Sequence, residues 1–309
     1  MTRRHYLSKT FLSFFLLLVL HQAASSQEVP PQLRPKGLKV QLAPSIVTLS
    51  FESRSLARRV SYNVILPQNY AEKPNAGRRY PVIYLLHGLG GHFDNWTDKT
   101  KVGYYALPLD VIIVTPEGGD GWYTDSATVP NDKYESYLIQ DLLPEVEGRF
   151  RTFADRDHRF IAGLSMGGYG AIKFAIRYPE KFALAGSFSG VLDAATADDK
   201  EYGLASAITK SIFDVFGPIG SKTRNENDLF RMVRELTSEK LKSLPFIYMG
   251  CGTEDKLCSP NNHDFLALLN EKKVPHEYRE LPAIHSWVFW DDQAREFLAV
   301  ADRYVKKIK

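Results

Sequence analysis

Apolar positions recur along this chain in two patterns that predict two kinds of β-strand. In Arg59–Leu66 an apolar residue stands at every second position, which is typical of a half-buried antiparallel strand, and Ile46–Ser53 is its predicted partner. Later segments are apolar without alternation, as expected of parallel strands that are covered on both faces. These later strands are predicted at Pro81–Leu86, Val111–Val114, Phe160–Gly163, Phe182–Ser187, Phe246–Met249 and the more polar His276–Leu281.

Segments with helical character lie between the later strands. We predict helices at Tyr134–Glu147, Met166–Tyr178, Pro260–Lys272 and Ser286–Lys307. Alternation of strands and helices predicts an α/β protein with an eight-stranded, mostly parallel, doubly wound sheet and an antiparallel opening pair. One connection, residues 193–243, is unusually long and is interpreted as a small helical cap insertion above the carboxyl edge of the sheet.

The first 45 residues differ from the rest of the chain. Basic residues precede a short apolar run at Phe11–Leu20, and the small residues Ala24-Ser25-Ser26 follow it, so residues 1–26 are predicted to be a signal peptide cleaved before Gln27. Residues 27–45 are rich in Pro, Gln and Lys and are predicted to form an exposed lead-in to a main domain at residues 46–309. The expected location is therefore periplasmic or extracellular, without stable membrane insertion after cleavage.

Charge and cysteine content narrow the choice of partners. Three of the 39 basic residues lie in residues 1–26, which hold no acidic residue, so the remainder has 36 of each sign. A balanced charge gives no indication of a nucleic-acid or anionic-membrane partner. Cys251 and Cys258 have no paired histidine motif and would make half a metal site at best, so no metal is expected. They are compatible with a disulfide or with two separate thiols, and the residues leave both open.

The strongest chemical signal is the segment Gly163-Leu164-Ser165-Met166-Gly167, which joins a predicted strand to a predicted helix. This order is typical of a nucleophile elbow, a sharp turn that exposes a serine oxygen above a parallel sheet. The elbow requires a strained backbone at Ser165 and close approach of strand and helix, which explains the glycines at positions 163 and 167. We therefore interpret Ser165 as a catalytic nucleophile.

A serine nucleophile needs a base, and the base needs an acid that orients it. In sheets of this kind the acid and then the histidine follow the serine along the chain. His285 lies in a loop after the last strand, whereas His263 falls in a helix and His276 begins a strand, so His285 is the predicted base. For the acid, Asp255 is favoured over its neighbour Glu254 because its side chain is shorter. Asp193 is a further alternative.

The loop after the third strand, His87-Gly88-Leu89-Gly90-Gly91, is expected to complete an oxyanion hole. Its glycines expose backbone N–H groups, and we assign the N–H groups of Leu89 and Met166 as the two donors. His87 is interpreted as structural. In the predicted reaction Ser165 attacks a carbonyl carbon, an acyl-serine forms, and water releases the acid without any cofactor.

With these motifs, the chain resembles the esterase branch of the α/β-hydrolases. That branch includes esterase D (S-formylglutathione hydrolase), tributyrin esterases, family-one feruloyl and acetyl xylan carbohydrate esterases, and secreted mycolyltransferases. Further matching segments are Gly121-Trp122-Tyr123-Thr124-Asp125, Cys251-Gly252-Thr253-Glu254-Asp255 and His285-Ser286-Trp287-Val288-Phe289-Trp290. The resemblance spans roughly residues 45–306 and implies a triad of Ser165, Asp255 and His285. It also implies that Trp122 and Tyr123 line the substrate pocket.

These features lead us to expect a secreted serine esterase that hydrolyses carboxylic esters, with acetyl or feruloyl esters of polysaccharide as the working hypothesis for its substrate. Three alternatives remain. The first is an acyltransferase that passes the acyl group to a sugar or lipid hydroxyl. The second is a thioesterase like S-formylglutathione hydrolase, which an export signal disfavours. The third is a non-catalytic binding protein with this fold, which predicts a broken triad.

Overall fold

The predicted strands assemble into a single sheet in the computed structural model of the protein. The structure describes residues 43–198 and 206–308, so the predicted signal peptide at residues 1–26 and most of the lead-in at residues 27–45 lie outside the described residues. The strands are β1 (Ser45–Ser53), β2 (Arg58–Leu66), β3 (Val82–Leu86), β4 (Ile112–Pro116), β5 (Arg159–Leu164), β6 (Leu184–Phe188), β7 (Phe246–Gly252) and β8 (His276–Leu281).

The strand order is β1-β2-β4-β3-β5-β6-β7-β8. β1 pairs with β2 and β2 with β4 in antiparallel fashion, and all other neighbours are parallel. The predicted fold class, an eight-stranded and mostly parallel doubly wound sheet, is therefore confirmed. Because the six strands from β3 to β8 run in one direction, the loops at their carboxyl ends meet along a single edge, where ligands bind in such sheets.

The continuous apolar runs have a simple cause, since each central strand is buried on both faces. In β3, Val82, Tyr84 and Leu86 face one hydrophobic cluster, while Ile83 and Leu85 face the other. Helices cover both faces: α1 (Asn95–Lys99), α2 (Val102–Ala106), α3 (Tyr134–Ser136), α4 (Leu143–Arg149), α5 (Met166–Arg177), α6 (Ala207–Phe216), α7 (Lys222–Asn227), α8 (Leu229–Arg234), α9 (Ser238–Ser243), α10 (Ser259–Glu271) and α11 (Trp287–Ile308).

The helix predicted at Tyr134–Glu147 differs from expectation in its middle. A π-helical segment, Tyr137–Leu142, joins α3 to α4, and the N–H of Leu143 donates to the carbonyl of Leu138, five residues earlier. Pro144 accounts for this, because it has no N–H to offer the carbonyl four residues before it and its ring crowds that turn. A wider π turn relieves both problems.

The long connection at residues 193–243 contains four short helices, α6 to α9, in its described part. Each begins at a residue whose side chain accepts hydrogen bonds from the first turn, and these capping residues are Ser206, Ser221, Asp228 and Thr237. Short helices depend on such caps because little else pairs their first N–H groups. No helix within residues 43–198 and 206–308 combines the length and apolar character needed to cross a bilayer.

Candidate active site

The nucleophile elbow lies where β5 turns into α5. Ser165 has φ 52° and ψ −117°, a strained conformation for a residue with a side chain. The steric interpretation of the glycines is confirmed. A Cβ on Gly163 would come within 2.5 Å of the Gly167 backbone, and a Cβ on Gly167 would lie 2.5 Å from the carbonyl oxygen of Leu86. A side chain at either position would therefore force the backbone of the turn to shift, which explains the two glycines.

The structure brings the three predicted triad residues into one hydrogen-bonded chain. Ser165 Oγ lies 3.0 Å from His285 Nε2, and His285 Nδ1 lies 2.8 Å from Asp255 Oδ2. An ionised carboxylate can only accept, so the imidazole carries its proton on Nδ1, and Nε2 is left to accept the serine proton. These distances place the nucleophile and its base within reach for direct proton transfer.

Asp255 is held in place by its own loop. Only 1 % of its surface is exposed, and its Oδ1 accepts the N–H groups of Leu257 and Cys258. Burial acts to raise the pKa of Asp255, but the hydrogen bond and charge of His285 outweigh burial, so the pKa falls below its ordinary value. Glu254 is exposed on the opposite side of the turn, and Asp193 lines a different cleft.

The other histidines considered above have other partners. His263 is exposed and pairs with Glu280, and His276 lies within hydrogen-bonding distance of the Val274 carbonyl. His87, the first residue of the loop after β3, is buried; its Nε2 accepts the N–H of Gly118, and its Nδ1 therefore donates to the carbonyl of Gly88. These contacts make His87 a support of that loop.

The two predicted oxyanion donors flank the serine. Leu89 belongs to the loop after β3, and Met166 is the first residue of α5, where N–H groups have no partner within the helix. In the part of the chain that the structure describes, neither N–H is taken up by another acceptor. The positive end of the α5 dipole reinforces the Met166 donor.

A cavity of about 290 Å³ opens above Ser165. Backbone and side chains of the loop after β3 form one wall, and apolar residues of the cap and of the loops after β6 and β7 form another. The lining residues are Gly88, Leu89, Gly90, Gly91, Asn95, Lys99, Trp122, Leu164, Ser165, Val191, Ile208, Leu257, His285, Trp287 and Trp290. The cavity is mostly apolar, with the serine and histidine at its base, as in sites for small organic ligands.

Comparison with known families identifies the group to which this chain belongs. A family model described as "Putative esterase" matches residues 53–298, which is most of the chain. The chain belongs to this esterase family. The family resemblance predicted from the motifs is thereby confirmed, and the sheet topology is that of the α/β-hydrolase fold.

Two relatives of this chain have names that describe an activity. Esterase Rv1288 of Mycobacterium tuberculosis is 31% identical over 267 residues, covering 79% of this chain and 56% of the relative. The chain thus spans little more than half of that relative's length. An acetyl esterase of Caldicellulosiruptor saccharolyticus is 26% identical over 270 residues, covering 85% of this chain and 99% of the relative.

Solved structures give the same picture. A Staphylococcus aureus fluorophosphonate-binding serine hydrolase, FphF, superimposes with a TM-score of 0.74 at 26% identity, covering 84% of this chain and 99% of that one. A ferulic acid esterase superimposes with a TM-score of 0.70, also at 26% identity, covering 85% of this chain and 100% of that one.

The two aromatic residues that the resemblance places in the substrate pocket, Trp122 and Tyr123, have different positions. Trp122 lines the cavity, and its Nε1 donates to Ser211 Oγ of the cap at 3.0 Å. Tyr123 is fully buried below it, and its hydroxyl donates to the carbonyl of His87. Because consecutive residues point in different directions here, Tyr123 supports the loop after β3 and does not line the cavity.

Three residues that line the cavity were not predicted from the sequence: Lys99, Trp287 and Trp290. Trp290 lies edge-on to the His285 ring at 4.8 Å, and Trp287 packs against Trp290 at 5.2 Å. Lys99 Nζ lies 5.1 Å from the centre of the Trp287 ring. The two tryptophans stand in a motif quoted for the family resemblance, which could have revealed them. Lys99 lies at the end of a five-residue helix that has no detectable sequence pattern.

Both cysteines are free and buried. Cys258 Sγ lies 3.7 Å from His285 Nδ1, and the donor atoms of Asp255, Cys258 and His285 all lie within 4.8 Å of one another, close enough to share a metal ion. Burial raises the pKa of Cys258 well above its ordinary value, however, and a thiol must lose its proton to bind a metal. The donor set therefore fits the hydrogen-bonded triad better than it fits a metal ion.

Proposed function

We propose that this protein is a serine hydrolase of carboxylic esters, with Ser165 as nucleophile, His285 as general base and Asp255 as the acid that orients it. The observation that carries the proposal is a continuous series of hydrogen bonds: Ser165 Oγ lies 3.0 Å from His285 Nε2, and His285 Nδ1 lies 2.8 Å from Asp255 Oδ2. Membership of the esterase family and similarity to a fluorophosphonate-binding serine hydrolase support it.

The reaction follows from the positions of these groups. Ser165 Oγ attacks the ester carbonyl carbon while His285 Nε2 takes its proton, and the ionised Asp255 stabilises the imidazolium that forms. The N–H groups of Leu89 and Met166 bind the oxyanion, each contributing on the order of 3 kcal/mol to the barrier reduction. His285 then protonates the leaving alcohol. In the second half of the reaction a water molecule attacks the acyl-serine while His285 takes its proton, and His285 returns a proton to Ser165 Oγ as the acid leaves.

We propose acetyl or feruloyl esters of polysaccharide as the substrate class. The names of the similar acetyl esterase and ferulic acid esterase support this class. The cavity supports it also, because Trp287 and Trp290 offer aromatic surface beside His285, where the leaving alcohol must lie to receive its proton. The apolar run and small residues of positions 1–26 support export, which would bring the enzyme to such a substrate.

Covalent labelling tests the nucleophile. We expect a fluorophosphonate probe to label the wild-type protein and to leave Ser165→Ala unlabelled while circular dichroism shows the variant folded. We also expect hydrolysis of p-nitrophenyl acetate by wild type and its loss, by roughly 10³-fold or more, in the variant. Labelling that persists in Ser165→Ala, or a panel of short p-nitrophenyl esters and methyl ferulate left intact by wild type, would contradict the proposal.

A second arm of this experiment separates hydrolysis from acyl transfer. With an alcohol or sugar acceptor added, hydrolysis yields the free acid as the main product, whereas a transferase yields the new ester. We expect the free acid. Acetylated and feruloylated xylan fragments, compared with the small esters, then test the polysaccharide part of the proposal.

A further inference from the structure

A lysine that the mechanism does not use lies in the middle of α5, the helix that follows the nucleophile. Lys173 is 0 % exposed. Burying an ammonium group is costly unless every proton finds an acceptor. Burial lowers the pKa of Lys173 to about 8 although the charge of Glu135 acts to raise it, so the group remains mostly protonated at neutral pH.

All three protons of Lys173 have acceptors. Its Nζ donates to the carbonyl oxygen of Tyr123 at 2.6 Å, to Thr124 Oγ1 at 2.7 Å and to Glu135 Oε2 at 2.8 Å. Two of these three acceptors belong to the segment 117–125, which follows β4 and which we call the pocket loop. Lys173 is therefore a fixed link between the helix of the nucleophile and this loop.

The pocket loop needs such a link because its backbone is strained. Trp122 and Tyr123 both have φ 50°, a conformation that bulky residues rarely adopt and that persists only with support from their surroundings. The tyrosine ring is wedged between a loop glycine and a helix glycine, since a Cβ on Gly118 or on Gly170 would overlap it. The bond from Lys173 to the Tyr123 carbonyl holds the peptide group just after the strained pair.

The pocket loop contacts both parts of the site. Its Trp122 lines the cavity, and its Asp120 Oδ1 accepts the N–H of Gly90 at 2.7 Å. The Gly118 N–H donates to His87 Nε2, and the Tyr123 hydroxyl donates to the His87 carbonyl. The segment that forms the cavity wall therefore also holds the loop that supplies the Leu89 oxyanion donor.

From these contacts we infer that Lys173 is a positioning residue, which fixes the Trp122 wall of the cavity and, through the pocket loop, the oxyanion loop after β3. This inference rests on the proposed esterase function and goes beyond it, because it assigns selectivity among esters to a side chain that does not touch the substrate. A wall held by an internal ion pair is rigid, and a rigid wall discriminates between acyl groups of different size.

The test compares Lys173→Met with Arg177→Met, its matched control on the same helix. Arg177 also pairs with Glu135, but its other contacts are the Glu226 carbonyl and Met232, away from the pocket loop. Thr124→Val serves as a milder variant that leaves the charges in place. It removes the acceptor that Thr124 Oγ1 offers to Lys173 and the hydrogen bond that the same hydroxyl donates to the Trp122 carbonyl, both within the pocket loop. For each protein kcat and KM are measured with p-nitrophenyl acetate, p-nitrophenyl butyrate and methyl ferulate, together with the melting temperature.

We expect Lys173→Met to lower kcat for the acetate about tenfold or more, because small displacements of catalytic groups are costly. We also expect the ratios of kcat/KM among the three esters to change at least about threefold, and Thr124→Val to change them in the same direction. Arg177→Met should lower the melting temperature and leave the ratios as in wild type.

Two results would overturn the inference. One is that the ratios stay at wild-type values in folded Lys173→Met or, if that variant does not fold, in Thr124→Val. The other is that Arg177→Met changes the ratios as much as the loop-directed variants do. Failure of the proposed function is a separate outcome, since wild type itself would then hydrolyse none of the three esters and take up no fluorophosphonate.

Discussion

At the scale of single residues, the adjacent carboxylates Glu254 and Asp255 show how surroundings decide a role. Asp255 is buried and bonded to His285, whereas Glu254 is exposed. We expect Asp255→Asn to lower kcat by roughly 10³- to 10⁴-fold, because the amide donates to Nδ1 and favours the tautomer whose Nε2 carries the proton. Steady-state hydrolysis of p-nitrophenyl acetate measures this loss.

Glu254→Gln is the natural control for that measurement. It makes the same chemical change one residue away, at a side chain that points to solvent, so kcat should stay within about twofold of wild type. Equal losses in the two variants would remove Asp255 from the triad.

A second residue-scale prediction concerns the elbow glycines. Gly167→Ala places a Cβ 2.5 Å from the Leu86 carbonyl oxygen and 2.6 Å from that of His87, both of them backbone atoms that cannot rotate away. We expect the free energy of unfolding to fall by about 1–3 kcal/mol or more. Urea denaturation followed by circular dichroism measures the change.

Gly148 provides the comparison for this variant. It lies in α4, and a Cβ added to it would have no neighbouring atom within 4 Å, so Gly148→Ala should be neutral or stabilising by about 0.5–1 kcal/mol. If both alanine variants are equally stable, steric exclusion is not the reason for glycine at position 167.

Single residues also mark the limit of prediction from the sequence. Ser165 could be located because the elbow has a local signature. His285 could be located because, of the histidines that follow the acid along the chain, it is the one in a loop after the last strand. Side-chain length favours Asp255 over Glu254 but does not decide between them, because which side of a turn faces inward depends on the packing of the whole loop. The family resemblance implies a pocket position for Tyr123, but the positive φ at this residue and at Trp122 turns its ring into the interior.

At the scale of elements, the segment from α3 to α4 is tied to α5 through one buried carboxylate. Glu135 accepts hydrogen bonds from Lys173, Arg177 and Tyr178. Burial acts to raise the pKa of Glu135, but the charges of Lys173 and Arg177 outweigh it and hold the pKa at about 2. The ionised form therefore joins the two helical elements.

The low pKa of Glu135 predicts how the stability of the protein depends on pH in acid. Since the folded pKa lies below the ordinary value of 4.5, the unfolded chain binds the extra proton first, and stability is lost as the pH falls from about 4.5 to about 2. We expect the melting temperature of wild type to fall steeply over this range and that of Glu135→Gln to fall less. Identical slopes for both proteins would show that Glu135 is not a source of the acid sensitivity.

Whole elements were predictable where they are long and periodic. All eight strands and the helices α5, α10 and α11 follow from the apolar pattern to within a few residues. The helices α1 and α2, of five residues each, have too few turns to show a period, and tertiary contacts fix them. The π-helical segment at Tyr137–Leu142 has a local cause in Pro144, but a proline signals only a break and not the form it takes.

At the scale of the whole molecule, the cavity could not be predicted from the sequence. Its lining comes from segments between Gly88 and Trp290, and most of these residues have no chemical signature of their own. Ile208 of the cap and the loop after β3 are more than 100 residues apart in the sequence, and only the folded molecule brings them to the same cavity. The fold class, in contrast, follows from the order of strands and helices alone, which is a property of the chain as a whole.

Export is a prediction that concerns residues 1–26. When residues 1–309 are expressed in a host that exports proteins with N-terminal signal peptides, we expect the protein outside the cytoplasm with Gln27 as its first residue, as its mass determined by mass spectrometry can show. A variant in which Leu16 and Leu17 are replaced by Lys should remain inside the cell at full length, since a charged segment cannot act as an export signal. Retention of wild type at full length inside the cell would argue against export.

The last helix, α11, runs from the site, at the carboxyl edge of the sheet, to the opposite edge, where the parallel strands begin. It begins at Trp287, beside His285, and its later residue Tyr304 packs on Phe160 near the start of β5. With 22 residues at 1.5 Å each, its two ends are about 33 Å apart. A resin, electrode or fluorophore coupled at the Ile308 end of this helix would therefore lie away from the cavity, and we expect the immobilised protein to keep its kcat. Coupling near Trp287, which lines the cavity, should instead block access of the ester to Ser165.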